Sequence, residues 1–450
     1  CNGSGHENET YKTTFEKEIK QEGNTLKIGG ESWAPTKGSN DTFYILPTGT
    51  YYLGSDISPE YTIKIENNVT LCLNGHKITA ADGMDAIYMT GGSFTLTDCK
   101  GVGTITHASS KTGRGVYVSS GTFNMYGGSI TGNKAQDAKG RGGGVYVYSG
   151  SGTFNMYGGS ITGNRATGDG GGVYKSGSNS SFNMYGGSIT GNTANSYGGG
   201  VYVDGGGFTM TGGSIGGTNE NDANTADRGG GVCVDCGKFT MSASADGQNI
   251  PSITGNNATE NGGGVYVIGS SSTFEMTGGS ITGNNAAYGG GVCVSKNGSF
   301  EMSGSSCITN NKADSYGGGV NINYASATFT MKGGSITGNN AYKSDYISTF
   351  GGGVCVGSGI FTISGEVTVT DNTKGGTKGA DGKFTGDTKN NVYLPTGKTI
   401  TIGTDKLSEG AQLGVTVSGD YGDYPFTSGW NANMSDKTPS DYFISDTDGY

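Results

Sequence analysis

The stretch 142–164, GGGVYVYSGSGTFNMYGGSITGN, decides the fold of this chain because much of the remainder repeats it. Three short apolar runs, VYV, FNM and SIT, are separated by turns of Gly and Ser. A shorter copy covers 114–133, and further copies begin at Gly170, Gly198, Gly229, Gly262, Gly289, Gly317 and Gly351. A tandem repeat of about 30 residues predicts a solenoid, in which each unit is stable only when stacked on its neighbours.

Each copy alternates apolar and polar residues, which is the pattern of a β-strand with one buried face. The outer Val or Ile residues of the VYV run are predicted to point inward, and the middle residue outward. Lys175 is the exception, because it replaces the second Val of its copy. Phe and Met of FNM and the Ile of SIT are also predicted core residues. The recurring Asn of TGN is expected to form a ladder of side-chain amides from coil to coil.

Three strands per copy predict an all-β protein, a single-stranded right-handed parallel β-helix with irregular caps at both ends. We expect a three-faced β-solenoid of about 12 coils, its handedness following from the usual chirality of parallel crossovers. The predicted organisation is an N-terminal leader or cap at 1–41, the β-helix at 42–417 and a C-terminal cap or linker at 418–450. The regular repeats occupy 114–372.

The composition excludes several classes of protein. Gly accounts for 90 of the 450 residues, but Pro is only 7 and no Gly-X-Y period exists, so the chain is not a collagen. A formal net charge of −10 argues against nucleic acid as a partner. No apolar run approaches the roughly 20 residues of a membrane span. These properties suit an extracellular surface.

Three cysteines carry specific predictions. Cys1, followed by small polar residues, resembles the lipid-bearing first residue of a mature bacterial lipoprotein, which would anchor the chain to a membrane. The alternative is that Cys1 only marks where this sequence starts. Cys72 and Cys99 lie 27 residues apart, about one repeat, so they are expected to stack in adjacent coils and are candidates for a disulfide.

Two segments and the repeat itself resemble known surface proteins. LCLNGHKI (71–78), LTDCKGVGTITHASSKTGRGVYV (96–118) and the GGSITGN and GGGVYV units resemble secreted β-helix surface proteins of Gram-positive, clostridia-like bacteria. The chain is more distantly similar to chlamydial polymorphic outer-membrane adhesins, although its phenylalanine occupies a different strand. The resemblance implies adhesion or display at a cell surface, without a catalytic motif, and assigns no functional residue.

Tyrosine columns are the predicted binding surface, because exposed rigid aromatic rings suit glycan or protein ligands. The candidates are the middle residues of the VYV runs and the residues before GGG: Tyr117, Tyr146, Tyr174, Tyr202 and Tyr266, then Tyr197, Tyr288 and Tyr316. A further column precedes GGSI, at Tyr126, Tyr157 and Tyr185. The alternative is that all these columns are cross-strand ladders that stabilise the sheets. Loops of variable length before GGG are the other predicted contact region.

We therefore expect a non-catalytic cell-surface adhesin or display stalk that binds a host or bacterial surface glycan or protein. An enzymatic alternative, a polysaccharide lyase or glycoside hydrolase, would use Asp204 and Asp235, which both follow VxV in adjacent copies. No catalytic residue, metal site or cofactor is predicted, although structural Ca²⁺ at stacked carboxylates is left open. A third alternative, ice binding, rests on the outward Ser and Thr of SIT.

Overall fold

A computed structural model describes residues 14–39, 41–136, 140–148, 150–342, 349–378, 384–418 and 425–446. The chain is a β-solenoid of about 12 turns built from stacked parallel sheets, which confirms the predicted fold class. The handedness of the winding stays a prediction. Two compact units, Cys1–Ser214 and Ile215–Tyr450, are described separately below as the first and second units. Within the described ranges, no helix has the length and apolarity of a membrane span.

Four strand types recur along the chain, and we name them VxV, FxM, SIT and NxA after their sequence. The NxA strand, which follows the Asn of TGN, was not predicted, and it adds a short fourth segment to the coils from Lys134–Ala135 to Thr373–Lys378. Strands of one type pair in parallel with the same type in the next coil, as with Phe123 opposite Phe154. Because the VxV, FxM and SIT runs of the regular repeats keep their register from coil to coil, each position of these runs becomes a column.

The first unit begins with a strand inside the predicted N-terminal leader or cap. Lys17–Glu22 pairs antiparallel with Thr25–Ile28 and parallel with Gly49–Leu53. Short strands at Glu31–Ser32 and Thr36–Lys37 complete this N-terminal region.

The regular strands of the first unit are as follows. The VxV strands are Thr42–Ile45, Ile63–Ile65, Ile87–Thr97, Val116–Met125, Val145–Val147, Val173–Ser176 and Val201–Met210. The FxM strands are Gly49–Leu53, Val69–Cys72, Thr153–Met156 and Ser181–Met184, together with the second halves of Ile87–Thr97, Val116–Met125 and Val201–Met210. The SIT strands are Lys77–Ala80, Thr104–His107, Ser129–Thr131, Ser160–Thr162 and Ser188–Thr190. The NxA strands are Lys134–Ala135, Arg165–Ala166 and Thr193–Ala194, and the strand Ser214–Gly216 lies at the division between the units.

The second unit repeats the same types. Its VxV strands are Val232–Met241, Val265–Ile268, Val292–Val294, Val320–Ile322, Val354–Cys355 and Val392–Leu394. Its FxM strands are Thr273–Met276, Ser299–Met302, Thr328–Thr337, Ile360–Thr370 and Ile400–Leu407, with the second half of Val232–Met241. Its SIT strands are Ser252–Thr254, Ser280–Thr282 and Cys307–Thr309, with the second halves of Thr328–Thr337 and Ile360–Thr370. Its NxA strands are Thr225–Arg228, Asn257–Asn261, Asn285–Tyr288, Lys312–Tyr316, Asn340–Ala341 and Thr373–Lys378, and the strand Phe384–Lys389 pairs antiparallel with the last of them.

The remaining elements are three strands and two short helices in the C-terminal region, and one 3-10 turn between Ser214–Gly216 and Thr225–Arg228. The strands Gln412–Val417, Thr427–Ser428 and Phe443–Ser445 continue the parallel stack. The helices are short: 3-10 turns at Glu220–Asp222 and Pro439–Asp441, and an α-helix at Trp430–Asn433.

Stacked phenylalanines form the centre of both cores. Neighbouring rings lie nearly parallel, with centroids 4.8 Å apart for Phe154 and Phe182 in the first unit. In the second unit Phe274 and Phe300 are 4.7 Å apart. The Val, Met and Ile columns beside them are buried as well, so the predicted inward positions are confirmed.

A ladder of buried asparagines runs beside each core, as predicted. In the first unit Asn164 donates from Nδ2 to Asn192 Oδ1 at 3.0 Å and to the Ile130 carbonyl at 2.9 Å. The ladder of the first unit contains Asn133, Asn164 and Asn192, and that of the second unit contains Asn224, Asn256, Asn284, Asn311, Asn339, Asn372 and Asn391. Every amide points its oxygen toward the preceding coil and its N–H toward the next coil, so each ladder has a fixed polarity.

The side chain at each ladder end supplies the hydrogen-bonding group that this polarity requires, which is a donor at the oxygen end and an acceptor at the N–H end. In the first unit the buried His107 approaches Asn133 Oδ1 at 2.8 Å with Nδ1 and the Met84 carbonyl at 2.8 Å with Nε2. Both partners are acceptors, because Asn133 already donates from Nδ2 to Asn164 and Ile105. In the second unit the Asp446 carboxylate accepts from the backbone N–H and from Nδ2 of Asn391, each at 2.6 Å.

Candidate functional site

The predicted tyrosine column on the VxV strands is largely buried. The exposed fraction of the side chain is 9% for Tyr146, 0% for Tyr174, 6% for Tyr202 and 4% for Tyr266. The prediction that these four rings form an exposed contact surface is therefore wrong. Tyr117 is half-buried, and burial raises its pKa to about 12.

The cause is the GGG segment, which folds back over the middle residue of the strand that it precedes. Gly170 has a φ of 67°, and a Cβ at this position would lie 2.7 Å from the Cβ of Tyr174. Only glycine fits both the left-handed conformation and this close approach. The guanidinium carbon of Arg141 lies 4.8 Å from the centre of the Tyr174 ring and covers it further. A residue that points out of the core is thus enclosed by the glycine segment of its own repeat and by an arginine of the preceding one.

The tyrosines before GGG are half-buried, and they stack in the second unit. The rings of Tyr288 and Tyr316 are 5.8 Å apart, and Phe350 lies 6.1 Å from Tyr316. In the first unit Tyr197 packs 6.0 Å from Tyr202. These contacts match the ladder interpretation, and a binding role for Tyr197, Tyr288 and Tyr316 stays a prediction.

The column before GGSI is the exposed one. Tyr157 and Tyr185 retain 37% and 40% of their side-chain exposure. Tyr126 stacks on Tyr157 with ring centroids 4.5 Å apart, and Tyr157 stacks on Tyr185 at 4.9 Å. The turn between FxM and SIT holds each ring at the edge of two sheets. The sequence shows this column but does not mark it as the exposed one, because alternation predicts the direction of a side chain and not what packs over it.

A column of asparagine amides lies beside these rings, two residues earlier on the same side of the FxM strand. Asn155 donates from Nδ2 to Asn124 Oδ1 at 2.9 Å, and Asn183 donates to Asn155 Oδ1 at 2.9 Å. On the other side of the turn, Ser160 donates to Ser129 at 2.9 Å. We call the three tyrosines and the three asparagines, Tyr126, Tyr157, Tyr185, Asn124, Asn155 and Asn183, the tyrosine–amide face.

The tyrosine–amide face is uncharged. The segments 115–133, 150–164 and 176–194, which carry the face in three successive coils, contain no Asp, Glu, Lys or Arg. This absence is the sequence signal that could have singled out the face. In the second unit the same strand type carries ion pairs, Lys238 with Glu275 at 2.7 Å and Lys332 with Glu301 at 3.0 Å.

The two aspartates of the enzymatic alternative lie in different units and have separate surroundings. Asp204, in the first unit, accepts a 2.8 Å hydrogen bond from the Tyr174 hydroxyl, and burial together with this carboxylate raises the pKa of Tyr174. Asp235, in the second unit, lies 3.3 Å from the sulfur of Cys236. The residues that the structure describes include no group of three or more His, Cys, Asp or Glu that could hold a metal ion.

Lys175 is fully buried, on the strand that pairs with the strand of Asp204. Its ammonium donates to the Gly177 carbonyl at 2.7 Å and to the Gly205 carbonyl. Burial lowers its pKa to about 8, against the opposing effect of Asp204. A side chain at Gly206 would collide with the ammonium, so the turn around Gly206 is shaped to admit it.

The cysteine predictions have different outcomes. The sulfur atoms of Cys72 and Cys99 lie 3.2 Å apart as neighbouring thiols, which confirms their stacking and leaves the disulfide a prediction. The pKa of Cys72 is raised to about 12, mainly by burial and to a lesser extent by the hydrogen bond to Cys99. Cys1 lies outside the described residues, so its lipidation stays a prediction.

Comparison with known proteins adds no relative. No protein-family model, no curated protein and no solved structure matches this chain.

Proposed function

We propose that this protein is a non-catalytic adhesin or display scaffold of a bacterial cell surface, and that its first unit binds a glycan through the tyrosine–amide face. A lipid on Cys1 would hold it at the membrane. The observation that carries the proposal is the stack of the half-buried Tyr126 with the exposed Tyr157 and Tyr185, beside a column of amides. Aromatic rings combined with neutral hydrogen-bonding groups are suited to recognising sugars.

The rigidity of the support favours this proposal. Each tyrosine of the face follows an FxM strand whose Phe and Met are buried in the core. Sites on rigid elements lose little conformational entropy on binding. The resemblance to secreted β-helix surface proteins points in the same direction, toward adhesion or display.

The test is binding of the folded protein to arrays of surface glycans and of extracellular proteins. We expect glycan binding that falls at least about tenfold in Tyr157→Ala, because its ring and hydroxyl lie at the centre of the face. Tyr324→Ala is the matched control, since Tyr324 is equally exposed at 43% but lies outside the face. No glycan bound by the wild type, or equal losses in both variants, would refute the proposal. Protein binding that Tyr157→Ala abolishes would replace the glycan by a protein ligand.

The same preparation tests the enzymatic alternative. Turnover of a uronic-acid polymer by the wild type, and its loss in Asp204→Asn, would replace the adhesin by a carbohydrate-active enzyme. We expect no turnover, because the Asp204 carboxylate already accepts a hydrogen bond from the hydroxyl of the buried Tyr174.

A further inference from the structure

The stacked tyrosines present their edges, not their faces. The planes of Tyr126 and Tyr157 differ by 9° and those of Tyr157 and Tyr185 by 15°, so each ring covers the face of the next. A sugar therefore cannot lie flat on the central ring of Tyr157. What this ring offers a ligand is its edge and its hydroxyl. Burial and the neighbouring Tyr126 raise the pKa of Tyr157, so the hydroxyl keeps its proton at neutral pH.

The amides beside the rings keep hydrogen-bonding capacity. An amide side chain has two N–H donors and two acceptor positions on its oxygen. Asn155 uses one donor toward Asn124 and one acceptor position toward Asn183. One donor and one acceptor position per amide therefore point elsewhere on this half-buried surface. A group that both donates and accepts, such as a sugar hydroxyl, matches this pair.

The charge of the face restricts the ligand. Recognition of carboxylate, sulfate or phosphate normally uses Arg, Lys or a cluster of N–H donors. The segments that carry the face, 115–133, 150–164 and 176–194, contain no Lys or Arg, and the whole chain has a formal net charge of −10. An anionic polymer would therefore meet no cation on the face and a repulsive long-range field. A neutral ligand meets neither problem.

The face also repeats along one direction. The same tyrosine hydroxyl and amide recur in three successive coils, at the strand spacing of about 4.8 Å. A linear polymer that runs along the columns can make the same contacts several times, and each contact after the first is intramolecular. We infer that the ligand of the tyrosine–amide face is a neutral linear polysaccharide aligned with the columns and held by hydrogen bonds to the tyrosine hydroxyls and asparagine amides. The inference rests on the proposed function and specifies its ligand.

The experiment titrates the full chain with neutral gluco-oligosaccharides of increasing length and with uronic-acid oligomers of matched length. We expect affinity to rise with length until the oligomer covers the three coils and then to level off. Neutral oligomers should bind at least about tenfold more tightly than acidic ones, with little dependence on salt. Tyr157→Phe, which keeps the stacked ring, should weaken binding about three- to tenfold through the lost hydroxyl. Tyr324→Phe should leave binding unchanged.

The outcomes separate this inference from the proposal beneath it. Tighter binding of acidic oligomers, affinity independent of length, or full affinity in Tyr157→Phe overturns the neutral linear ligand. In that case a loss in Tyr157→Ala still supports a glycan-binding face. Absence of binding by every oligomer, together with a blank glycan array, overturns both.

Discussion

The outer surfaces of the two units differ although their coils are built in the same way. At the middle position of three successive FxM strands the first unit has Asn124, Asn155 and Asn183, before Thr209 in its last one, where the second has Thr240, Glu275, Glu301 and Thr330. At the following turn the first unit has Tyr126, Tyr157 and Tyr185, before Thr211 in its last coil, where the second has Ser242, Thr277, Ser303 and Lys332. The inward residues of the same strands hardly change.

This contrast separates support from function. The phenylalanine stack and the asparagine ladder are buried in both units, so any change there removes packing or leaves polar groups without partners. The outward residues of the FxM strands and of the turns that follow them lie at the surface, so they can change between units without loss of the fold. The difference between the units therefore marks where a ligand-specific surface can arise.

The largest effect is expected from the shared ladder. Asn284→Ala should lower the free energy of unfolding by about 3–5 kcal/mol, because several buried polar groups lose partners at about 1–3 kcal/mol each. The carbonyl of Ile253 and two N–H groups of Asn256 are among them. Denaturant unfolding followed by circular dichroism measures the change.

Two further variants turn this into a comparison. Asn164→Ala should have a similar effect in the first unit, since the Asn164 side chain accepts from two N–H groups of Asn133 and donates to the Ile130 carbonyl. Asn285→Ala is the matched control, because Asn285 also donates to an asparagine, Asn257, but on the exposed side. We expect it to change stability by less than about 1 kcal/mol. Equal losses for Asn284 and Asn285 would contradict a structural role for the buried ladder.

Lys175 marks an internal difference between the units, since the matching positions of the second unit carry Val, Ile or Leu, for example Val267, Ile322 and Leu394. Lys175→Val should stabilise the chain by about 1–3 kcal/mol at neutral pH, because burying the ammonium is unfavourable. Its folded pKa of about 8 lies below the ordinary 10.5. The unfolded state therefore holds more protons between these values, and wild-type stability should rise as pH increases from 8.

Unfolding curves at several pH values, kept below the pKa of about 10 at which unfolded tyrosines ionise, check this prediction. Lys175→Val should lose the rise with pH, and Lys175→Met should lose it too while keeping most of the stem. A wild-type stability that stays flat above pH 8, or a destabilised Lys175→Met, would show that the charged form is well accommodated.

A transplant tests whether the outward columns alone carry binding. In a chain whose own face is disabled by Tyr157→Ala, tyrosines replace Thr277, Ser303 and Lys332, and asparagines replace Glu275 and Glu301. Ring stacking should add about 0.2–1 kcal/mol per neighbouring pair, and binding of the neutral oligosaccharides should return. Phenylalanines at the same three positions are the control, because they stack without hydroxyls. A folded transplant that binds no better than this control would break the link between these columns and the ligand.

Sequence reasoning succeeds where a residue's direction decides its role. Phe154, Val145 and Asn164 could be assigned to core and ladder from period-two alternation and recurrence alone. It fails where exposure depends on what packs over an outward side chain. Tyr174 points out of the core as predicted, but the glycine segment that precedes its strand and Arg141 bury it. Tyr157 has the same direction and stays exposed. What covers an outward side chain depends on how turns fold back, which alternation does not encode.

The ion pairs on the second unit's surface should matter least. Lys332 and Glu301 are 3.0 Å apart and both more than 40% exposed, so water and salt screen their attraction. Lys332→Met should change the free energy of unfolding by less than about 0.5 kcal/mol, and added salt should reduce even that. Thermal unfolding at low and high ionic strength measures both. A loss above about 1 kcal/mol would mean that the outward columns do support the fold, and then the contrast between the units could no longer be assigned to ligand recognition.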